Sequence, residues 1–508
     1  MNKRITIFFI SLVTLFSCND FLKPTSENEF VPTTVQSLDE MLLYETYASS
    51  FSTTNPFFDL LSDDAAVVRF SGTENNLLTQ VHLASIKAVF TWQPDVYRTF
   101  EEDHLDESVF DAYSTCYSKI LGCNAVLDYI DSVEGKERDR IRLKAEALAL
   151  RGYLYFHLVN IYGQPYNYDK SALGVPLHLV SKVSSASIPR NTVEEVYAQV
   201  LKDLLESRSL YASLDTEDTW KSDMRVSLPF VDLLLSRVYL YMEQWEEASL
   251  YAGKVLEDTR FRLIGSADFP QTGYMYFHNY SNPEVIWAFG NASFFRDFMD
   301  PYMMDISKGG KVSFVVADAS LVGLFAEGDI RKEQYLVADK RSSNYKAYGK
   351  LAVTGGDDIP DTSNKFARSF RIAEAYLNRA EAEAMMFEEG KGGEHKEEAV
   401  RLLNALWSNR IAQVPDGYLD DRTPATLVNS IRNERRRELC FEDHRWFDLR
   451  RYGMPEIAHT WMGDKSDAQR TIYTLKKNDP MYTLQLPVTV MLMNDMLIQN
   501  PSGPTRID

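Results

Sequence analysis

The sequence predicts an all-α protein whose helical body carries an irregular, loop-rich part with a few short strands. Three observations support this prediction. Apolar residues recur at helical spacing over much of the chain, two segments have the pattern of tetratricopeptide-like helix pairs, and one long segment lacks helical periodicity. With 508 residues, 45% hydrophobic and 25% charged, the chain has the composition of a globular protein.

The first helices are predicted from stripes of apolar residues. One stripe lies at 38–43 and another runs from Tyr113 to Ile130. A longer helix is predicted from Leu143 to Tyr162, because Gly163 and Pro165 directly afterwards form a typical helix ending.

Two further helices are predicted from their first residues. Thr192–Glu195 has the spacing of a capping box and predicts a helix to about Leu210. Thr423–Pro424 fits an N-cap followed by proline at the first helical position, and this helix is expected to run to about Glu442.

Two segments resemble the tetratricopeptide helix pair. In Leu233–Glu257, Ala248 and Ala252 are small residues at the steps where two helices cross closely. Arg371–Ala405 has a similar pattern, with a long charged loop expected at Glu388–Glu398. Two imperfect units indicate helix-pair packing within a larger body rather than a regular solenoid.

The segment from Phe261 to about Lys365 differs from the rest. It contains many aromatic residues, glycines and short polar breaks, and one strand-like run at Glu284–Phe289. Long irregular segments in compact domains are usually functional or disordered, and the aromatic content argues against disorder. We therefore expect an irregular insertion with short strands.

The net charge and the cysteines exclude some classes of protein. A formal charge of -19 without a basic block disfavours nucleic acid as a partner. Cys116 and Cys123 would lie roughly 10 Å apart along one helix, too far for a disulfide. Together with Cys440 they are expected to be small buried residues.

The N-terminus has the features of an exported lipoprotein. Lys3 and Arg4 precede an apolar run, Ile5–Phe16, which is too short to span a bilayer but has the length of a signal-peptide core. The run ends in Leu15–Cys18, which resembles a bacterial lipobox. The resemblance implies cleavage before Cys18 and lipidation of its sulfur, giving a stable membrane anchor.

Motifs of catalysis and metal binding are absent from the sequence. It contains no HExxH, GxSxG or P-loop pattern, and no two of the eight histidines have metal-ligand spacing on one helix. Pairs of carboxylates such as Asp63 and Asp64 arise by chance among 73 acidic residues. We therefore expect no catalytic residue, no metal and no cofactor.

Five blocks of sequence in order resemble the SusD/RagB family. The first is the lipobox, and the strongest is IRNERRRELCFEDHRWFDLRRYG at Ile431–Gly453. In that block Asp443 and His444 depart from the family, which usually has glycine near this turn, so the local turn geometry is in question. The other blocks are Arg151–Pro165, Arg371–Ala382 and the closing segment Leu486–Pro501.

This resemblance implies a function. Members of the family are lipid-anchored, non-catalytic proteins of the bacterial outer membrane, facing the exterior. They bind nutrients, usually glycans or oligosaccharides, and deliver them to a SusC-type TonB-dependent transporter. For this chain it implies a signal peptide (1–17), a tether after the lipidated cysteine (18–32), an N-terminal helical part (33–260) and a C-terminal part (261–508) with the irregular insertion and the signature helix.

Two other classes of protein compete with this interpretation. An all-helical carbohydrate-active enzyme would need two carboxylates about 5 to 10 Å apart, one with a raised pKa. A tetratricopeptide-type scaffold would bind a protein partner in its grooves. The lipobox and the closing signature favour the binding lipoprotein over both.

Ligand-binding residues are predicted among aromatic side chains in the non-periodic segments, where they look exposed. Sugars stack their apolar faces on aromatic rings, whereas Trp245 and Trp407 fall in helical patterns and are expected in the core. The candidates are Trp92, Tyr97, Tyr274, Tyr276, Tyr280, Trp287, Phe294 and Phe295.

Overall fold

The computed structural model describes most of the chain. The described residues are 32–48, 57–71, 87–94, 96–102, 112–182, 186–292, 303–304, 310–317, 320–338, 343–347, 349–351, 365–411, 423–462 and 470–506. The lipobox with Cys18, and the candidates Phe294 and Phe295, lie outside these residues.

Helices form the body of the molecule, and the prediction of a mostly helical fold is confirmed, with 53% helix and 10% strand. In chain order the helices are α1 (Val35–Leu42, continued by a π-helical turn Leu43–Ala48), α2 (Phe58–Leu61), α3 (Val96–Glu102), α4 (Ala112–Tyr129), α5 (Glu137–Tyr162), α6 (Tyr166–Asp169), α7 (Val193–Ala212), α8 (Leu228–Tyr241), α9 (Trp245–Leu256), α10 (Ile330–Gln334), α11 (Ile372–Glu388), α12 (Gly393–Ser408), α13 (Pro424–Glu438), α14 (Arg445–Arg451) and α15 (Val488–Met493).

Strands are short and pair antiparallel. A three-stranded sheet has the order β1-β4-β3, and the pairs β2-β7, β5-β6 and β8-β9 form separate ladders. The strands are β1 (Ala65–Ser71), β2 (Val285–Phe289), β3 (Met303–Met304), β4 (Gly310–Val316), β5 (Val337–Ala338), β6 (Tyr345–Lys346), β7 (Arg368–Arg371), β8 (Ile457–Trp461) and β9 (Thr471–Leu475).

The helix ends have the expected local causes. Thr192 and Glu195 form both hydrogen bonds of a capping box at the start of α7, and α5 ends at Gly163. The Thr423 side chain accepts a hydrogen bond from the Thr426 backbone N–H at the start of α13. These predictions are confirmed, because each rests on hydrogen bonds between residues that are close in sequence.

Three predicted boundaries are wrong, and the first is the start of α5, which lies at Glu137 and not at the expected Leu143. Helix α13 ends at Glu438, before the expected Glu442, and its last turn enters a buried group of ion pairs. The charged loop expected at Glu388–Glu398 spans only the residues between α11 and α12, because α12 begins at Gly393. The first turns of α12 are rich in charged residues, and for this reason the sequence pattern there resembles a loop.

Both tetratricopeptide-like segments form antiparallel helix pairs, α8 with α9 and α11 with α12, and α9 packs on α11 between them. Helix α5 packs between α4 and α7, and α13 packs on α11. Trp245 and Trp407 are buried as expected, at 4% and 5% exposure. One hydrophobic core draws residues from both sides of residue 260.

The three cysteines of the described part, Cys116, Cys123 and Cys440, are buried and form no disulfide with one another, as predicted. Burial raises the pKa of the Cys123 and Cys440 thiols to about 12, so both thiols stay protonated at neutral pH. None of the described helices combines the length and the apolar character needed to cross a membrane.

Candidate functional site

Three of the predicted aromatic residues are not at the surface. Trp92 is 0% exposed and Trp287 is 1% exposed, so the expectation that these rings are accessible is wrong. Tyr97, at 5%, is buried as well. The physical reason is that irregular segments of this fold pack against the core, so that a lack of helical periodicity does not indicate exposure.

Hydrogen bonds and ring contacts hold these three side chains inside. The indole Nε1–H of Trp92 donates to the Leu61 carbonyl at 2.9 Å, and that of Trp287 donates to the Met224 carbonyl at 2.9 Å. The hydroxyl of Tyr97 lies 2.9 Å from that of Tyr162. All three residues are therefore core residues.

The remaining described candidates, Tyr274, Tyr276 and Tyr280, are half-buried residues of one short segment, and Tyr276 lies close enough to Tyr280 for the two hydroxyls to interact. We call them, together with Lys365 and Phe366, the tyrosine face. Tyr276 accepts a hydrogen bond from the Phe366 backbone N–H at 2.5 Å, and the Phe366 ring meets Tyr280 edge-on with centroids 5.9 Å apart. The structure thus brings Tyr276 and Tyr280 together through Phe366, and Tyr274 lies two residues before Tyr276 in the same segment.

Backbone groups fix the orientation of these rings. The hydroxyl of Tyr280 accepts from the Ala288 N–H at 3.0 Å and donates to the Ala288 carbonyl at 3.3 Å, which ties the ring to β2. Tyr274 is also hydrogen-bonded to the backbone, at Ala338 in β5. A ring whose hydroxyl is anchored keeps one orientation, and this lowers the entropy lost when a ligand stacks on it.

The tyrosine face is uncharged except for one cation. Burial raises the pKa of Tyr276 to about 12 and raises that of Tyr280 further, so both phenols are neutral at physiological pH. The Lys365 ammonium lies 5.2 Å from the centroid of the Tyr276 ring. Neutral aromatic rings beside a single hydrogen-bond donor suit a polyhydroxylated ligand better than an ionic one.

Trp220 is a half-exposed tryptophan that the sequence analysis did not select. It lies in the connector between α7 and α8, and its Nε1–H donates to the Ile286 carbonyl in β2 at 3.1 Å. The connector also contacts the tyrosine face, because Ser222 Oγ lies 3.5 Å from the Tyr280 carbonyl oxygen. A tryptophan within a polar Thr/Lys/Ser/Asp stretch is the signal that could have identified it.

The signature segment has a structural role in the described residues. Glu438 accepts hydrogen bonds from Arg371 at 2.6 Å and from Arg410 at 2.9 Å, and Arg331 lies 2.9 Å from its other oxygen. All four side chains are 0% exposed. The mixed charges of Ile431–Gly453, at i, i+3 and i, i+4 spacings, predict ion pairs that lock a helix end. This prediction is confirmed, although most partners are distant in sequence.

Asp443 occupies the turn where the family pattern has glycine. Its φ of 61° lies in the left-handed region, which favours glycine but tolerates aspartate. The carboxylate accepts hydrogen bonds from Arg368 Nε at 2.8 Å and from Arg368 Nη2 at 3.1 Å. The turn keeps the conformation that a glycine would allow, and the side chain adds a partner for a buried arginine.

No group of His, Cys, Asp or Glu within the described residues could hold a metal ion. The neighbouring carboxylates Asp63 and Asp64 are held by arginines: Arg445 Nε lies 2.7 Å from Asp63, and Arg436 Nε lies 2.6 Å from Asp64. Carboxylates paired in this way serve as structural ion pairs here.

Comparison with known proteins agrees with the geometry. Residues 36–240 match a family model described as starch-binding and associating with the outer membrane, and residues 329–502 match the SusD family model. The chain is 20% identical to the SusD-like protein P25 of Formosa agariphila, over 98% of each chain.

Solved structures share the fold. A SusD-like carbohydrate-binding protein from Bacteroides vulgatus superposes with a TM-score of 0.65 at 23% identity, covering 92% of this chain and 98% of that one. A laminarin-binding SusD-like protein gives a TM-score of 0.58 at 21% identity, covering 92% of this chain and 100% of the other.

Proposed function

Because this chain belongs to the SusD/RagB family, we propose that it binds a glycan or oligosaccharide and does not cleave it. The observation that carries this proposal is the tyrosine face, where three half-buried tyrosines of one segment have hydroxyls bonded to the backbone. Two relatives of similar fold are named for carbohydrate and laminarin binding, which supports the same class of ligand.

Binding to the tyrosine face can be measured by calorimetry on the full chain purified in detergent, with maltoheptaose and laminarihexaose as probes. Tyr274→Ala and Tyr276→Ala should each weaken binding by about one decade, by analogy with nucleobases, for which one stacked ring contributes roughly 1–3 kcal/mol. Tyr168→Ala is the matched control, since Tyr168 is 55% exposed and lies on α6, outside this face.

Two results would contradict the proposal. One is the absence of binding to neutral oligosaccharides of any linkage. The other is affinity that stays unchanged in both tyrosine variants, which would move the site away from this face.

The proposal that the protein is not an enzyme has its own test. Incubation of the full chain with a glycan that it binds should leave the number of reducing ends unchanged. Cleavage that disappears when one carboxylate is replaced would show an enzyme instead, and it would identify the catalytic residue.

We propose further that Cys18 carries the lipid anchor and that the protein delivers its ligand to a SusC-type TonB-dependent transporter. Leu15–Cys18 supports the anchor, and the family supports the transporter. Cys18→Ala should release the chain from membranes, and the N-terminal peptide should lose its acyl mass. A strain without the chain should take up the glycan more slowly, and unchanged uptake would argue against delivery.

A further inference from the structure

A cleft of about 210 Å³ opens beside Trp220, apart from the residues of the tyrosine face. Its walls come from the first turns of α5, from Tyr211 near the end of α7, and from the connector that leads into α8. Ligand pockets for drug-sized molecules hold roughly 300–1,000 Å³, so this cleft has room for about one sugar ring.

Trp220 supplies an aromatic wall with a fixed orientation. Its Nε1–H is bonded to the Ile286 carbonyl at 3.1 Å, and Phe261 meets its ring edge-on with centroids 5.2 Å apart. The residue is half-exposed and lines the cleft. A fixed indole with an accessible part is the surface on which the C–H face of a pyranose stacks.

Ser227 brings a hydroxyl to the cleft that the protein leaves unused. It is 3% exposed, and its Oγ makes no hydrogen bond within the described residues. Ser227 is also the N-cap of α8, yet it forms no side-chain capping bond. A buried hydroxyl without a partner costs free energy, so its position is explained if a ligand hydroxyl completes it.

Asp218 adds a second polar atom, a carboxylate oxygen, that makes no hydrogen bond among the described residues. Its Oδ2 is buried and accepts no hydrogen bond within the part of the chain that the structure describes, although Arg138 Nη1 lies 3.4 Å away as an ion-pair partner. A carboxylate oxygen and a serine hydroxyl that line one cleft can each bond a sugar hydroxyl, the carboxylate as acceptor and the serine as donor or acceptor.

The charges around the cleft balance. Its basic side chains are bound to its acidic ones or to Asp39, as in the contacts of Arg225 with Glu146 at 2.7 Å and with Asp39 at 2.8 Å. Equal numbers of the two signs give the lining no net charge that would favour an anion or a cation. The basic members are Arg138, Arg142, Lys221 and Arg225, and the acidic members are Asp139, Glu146, Asp218 and Asp223.

We propose that this cleft binds one pyranose of an uncharged glycan, stacked on Trp220 and hydrogen-bonded to Ser227 and Asp218. The inference rests on the proposed function, because it takes the ligand class from there. It adds a second binding site and a preference for neutral over anionic sugars.

The site can be observed in the full chain, purified in detergent and labelled with fluorotryptophan. The chain has 7 tryptophans, and the resonance of Trp220 is the one that disappears in Trp220→Phe. We expect at least one of the methyl pyranosides of glucose, galactose, mannose and xylose to shift this resonance. Glucuronate and galacturonate should need at least a tenfold higher concentration to produce the same shift.

Ser227→Ala separates ligand contact from folding. The hydroxyl caps nothing, so the variant should keep the thermal midpoint, while the apparent Kd of the pyranoside rises about five- to tenfold. Ser408→Ala is the control, because Ser408 is exposed and its hydroxyl is bonded to the Ala405 carbonyl within α12.

Other outcomes distinguish this inference from the proposed function. If oligosaccharides bind and depend on Tyr276 while the Trp220 resonance stays still with all four pyranosides, the cleft holds only water and the inference is wrong. Equal shifts with uronates would overturn the preference for neutral sugars. If the chain binds no glycan at all, both proposals fail together.

Discussion

The indole of Trp92 stacks on the imidazole of His459, with ring centroids 4.1 Å apart and an angle of 26° between the planes. The same imidazole stacks on Phe90 at 4.0 Å, and its two ring nitrogens lie 2.6 Å from the Phe90 carbonyl oxygen and 2.9 Å from that of Ser62. These contacts join a segment near residue 90 to β8, so Trp92 belongs to the core.

Trp92→Ala should therefore destabilise the protein. Removal of a buried tryptophan costs about 3–5 kcal/mol, since the indole leaves a cavity and the Leu61 carbonyl loses its donor. Urea unfolding measures this loss. Tyr44→Ala is the control at a residue 74% exposed, where the change should stay within about 0.5 kcal/mol. Unchanged stability with lost glycan binding would place Trp92 in the ligand site instead.

Glu438 is the centre of a second prediction. Glu438→Gln leaves Arg371, Arg410 and Arg331 buried with one negative charge fewer among them. Breaking a buried ion pair in this way costs about 3–5 kcal/mol, which should appear as a lower free energy of unfolding. In contrast, Glu398→Gln removes a partner of the exposed Arg401 and should cost at most about 1 kcal/mol. Equal effects would show that the buried group contributes little.

Asp443→Gly tests the turn where this chain departs from its family. Glycine relieves a left-handed backbone strain of about 1–2 kcal/mol but removes a two-bond partner of Arg368. Arg368 retains Asp59 at 2.9 Å, so we expect a net loss of about 1–3 kcal/mol in thermal or chemical unfolding. A more stable variant would show that the turn strain outweighs the ion pair.

His278 makes stability depend on pH. Burial lowers its pKa to about 3 from the usual 6.5, and its Nδ1 lies 2.9 Å from the Ser369 hydroxyl. Below about pH 6.5 the imidazole of His278 takes up a proton in the unfolded chain but not in the folded protein. The contribution of His278 to stability is therefore complete above that pH and is lost as the pH falls toward 3.

The corresponding experiment compares the wild type with His278→Gln. Between pH 7 and pH 4.5 the wild type should lose about 2–3 kcal/mol more unfolding free energy than the variant. His178→Gln, at a half-buried histidine outside this contact, serves as the control. Parallel curves for wild type and His278→Gln would contradict the assignment of a neutral buried ring.

Much of the fold could be predicted from the sequence because its signals are local. The capping box at Thr192 and the end of α5 at Gly163 depend on residues within one helical turn. The mixed charges of the signature segment at helical spacing likewise predicted ion pairs, although the partners Arg331, Arg371 and Arg410 of Glu438 could not be predicted from spacing.

The candidate site was likewise predicted only in part from the sequence. The sequence alone selected Tyr274, Tyr276 and Tyr280 as aromatic residues of an irregular segment, and it also selected Trp92 and Trp287 for the same reason. Only the tertiary structure separated the two groups, because burial depends on contacts with distant residues. His459 covers Trp92, whereas Phe230 and Phe370 cover Trp287. Tyr280 is instead held at its hydroxyl by the backbone of β2 and stays half-buried. Local sequence determines which backbone forms, whereas the side chains that reach solvent are decided by which elements pack together.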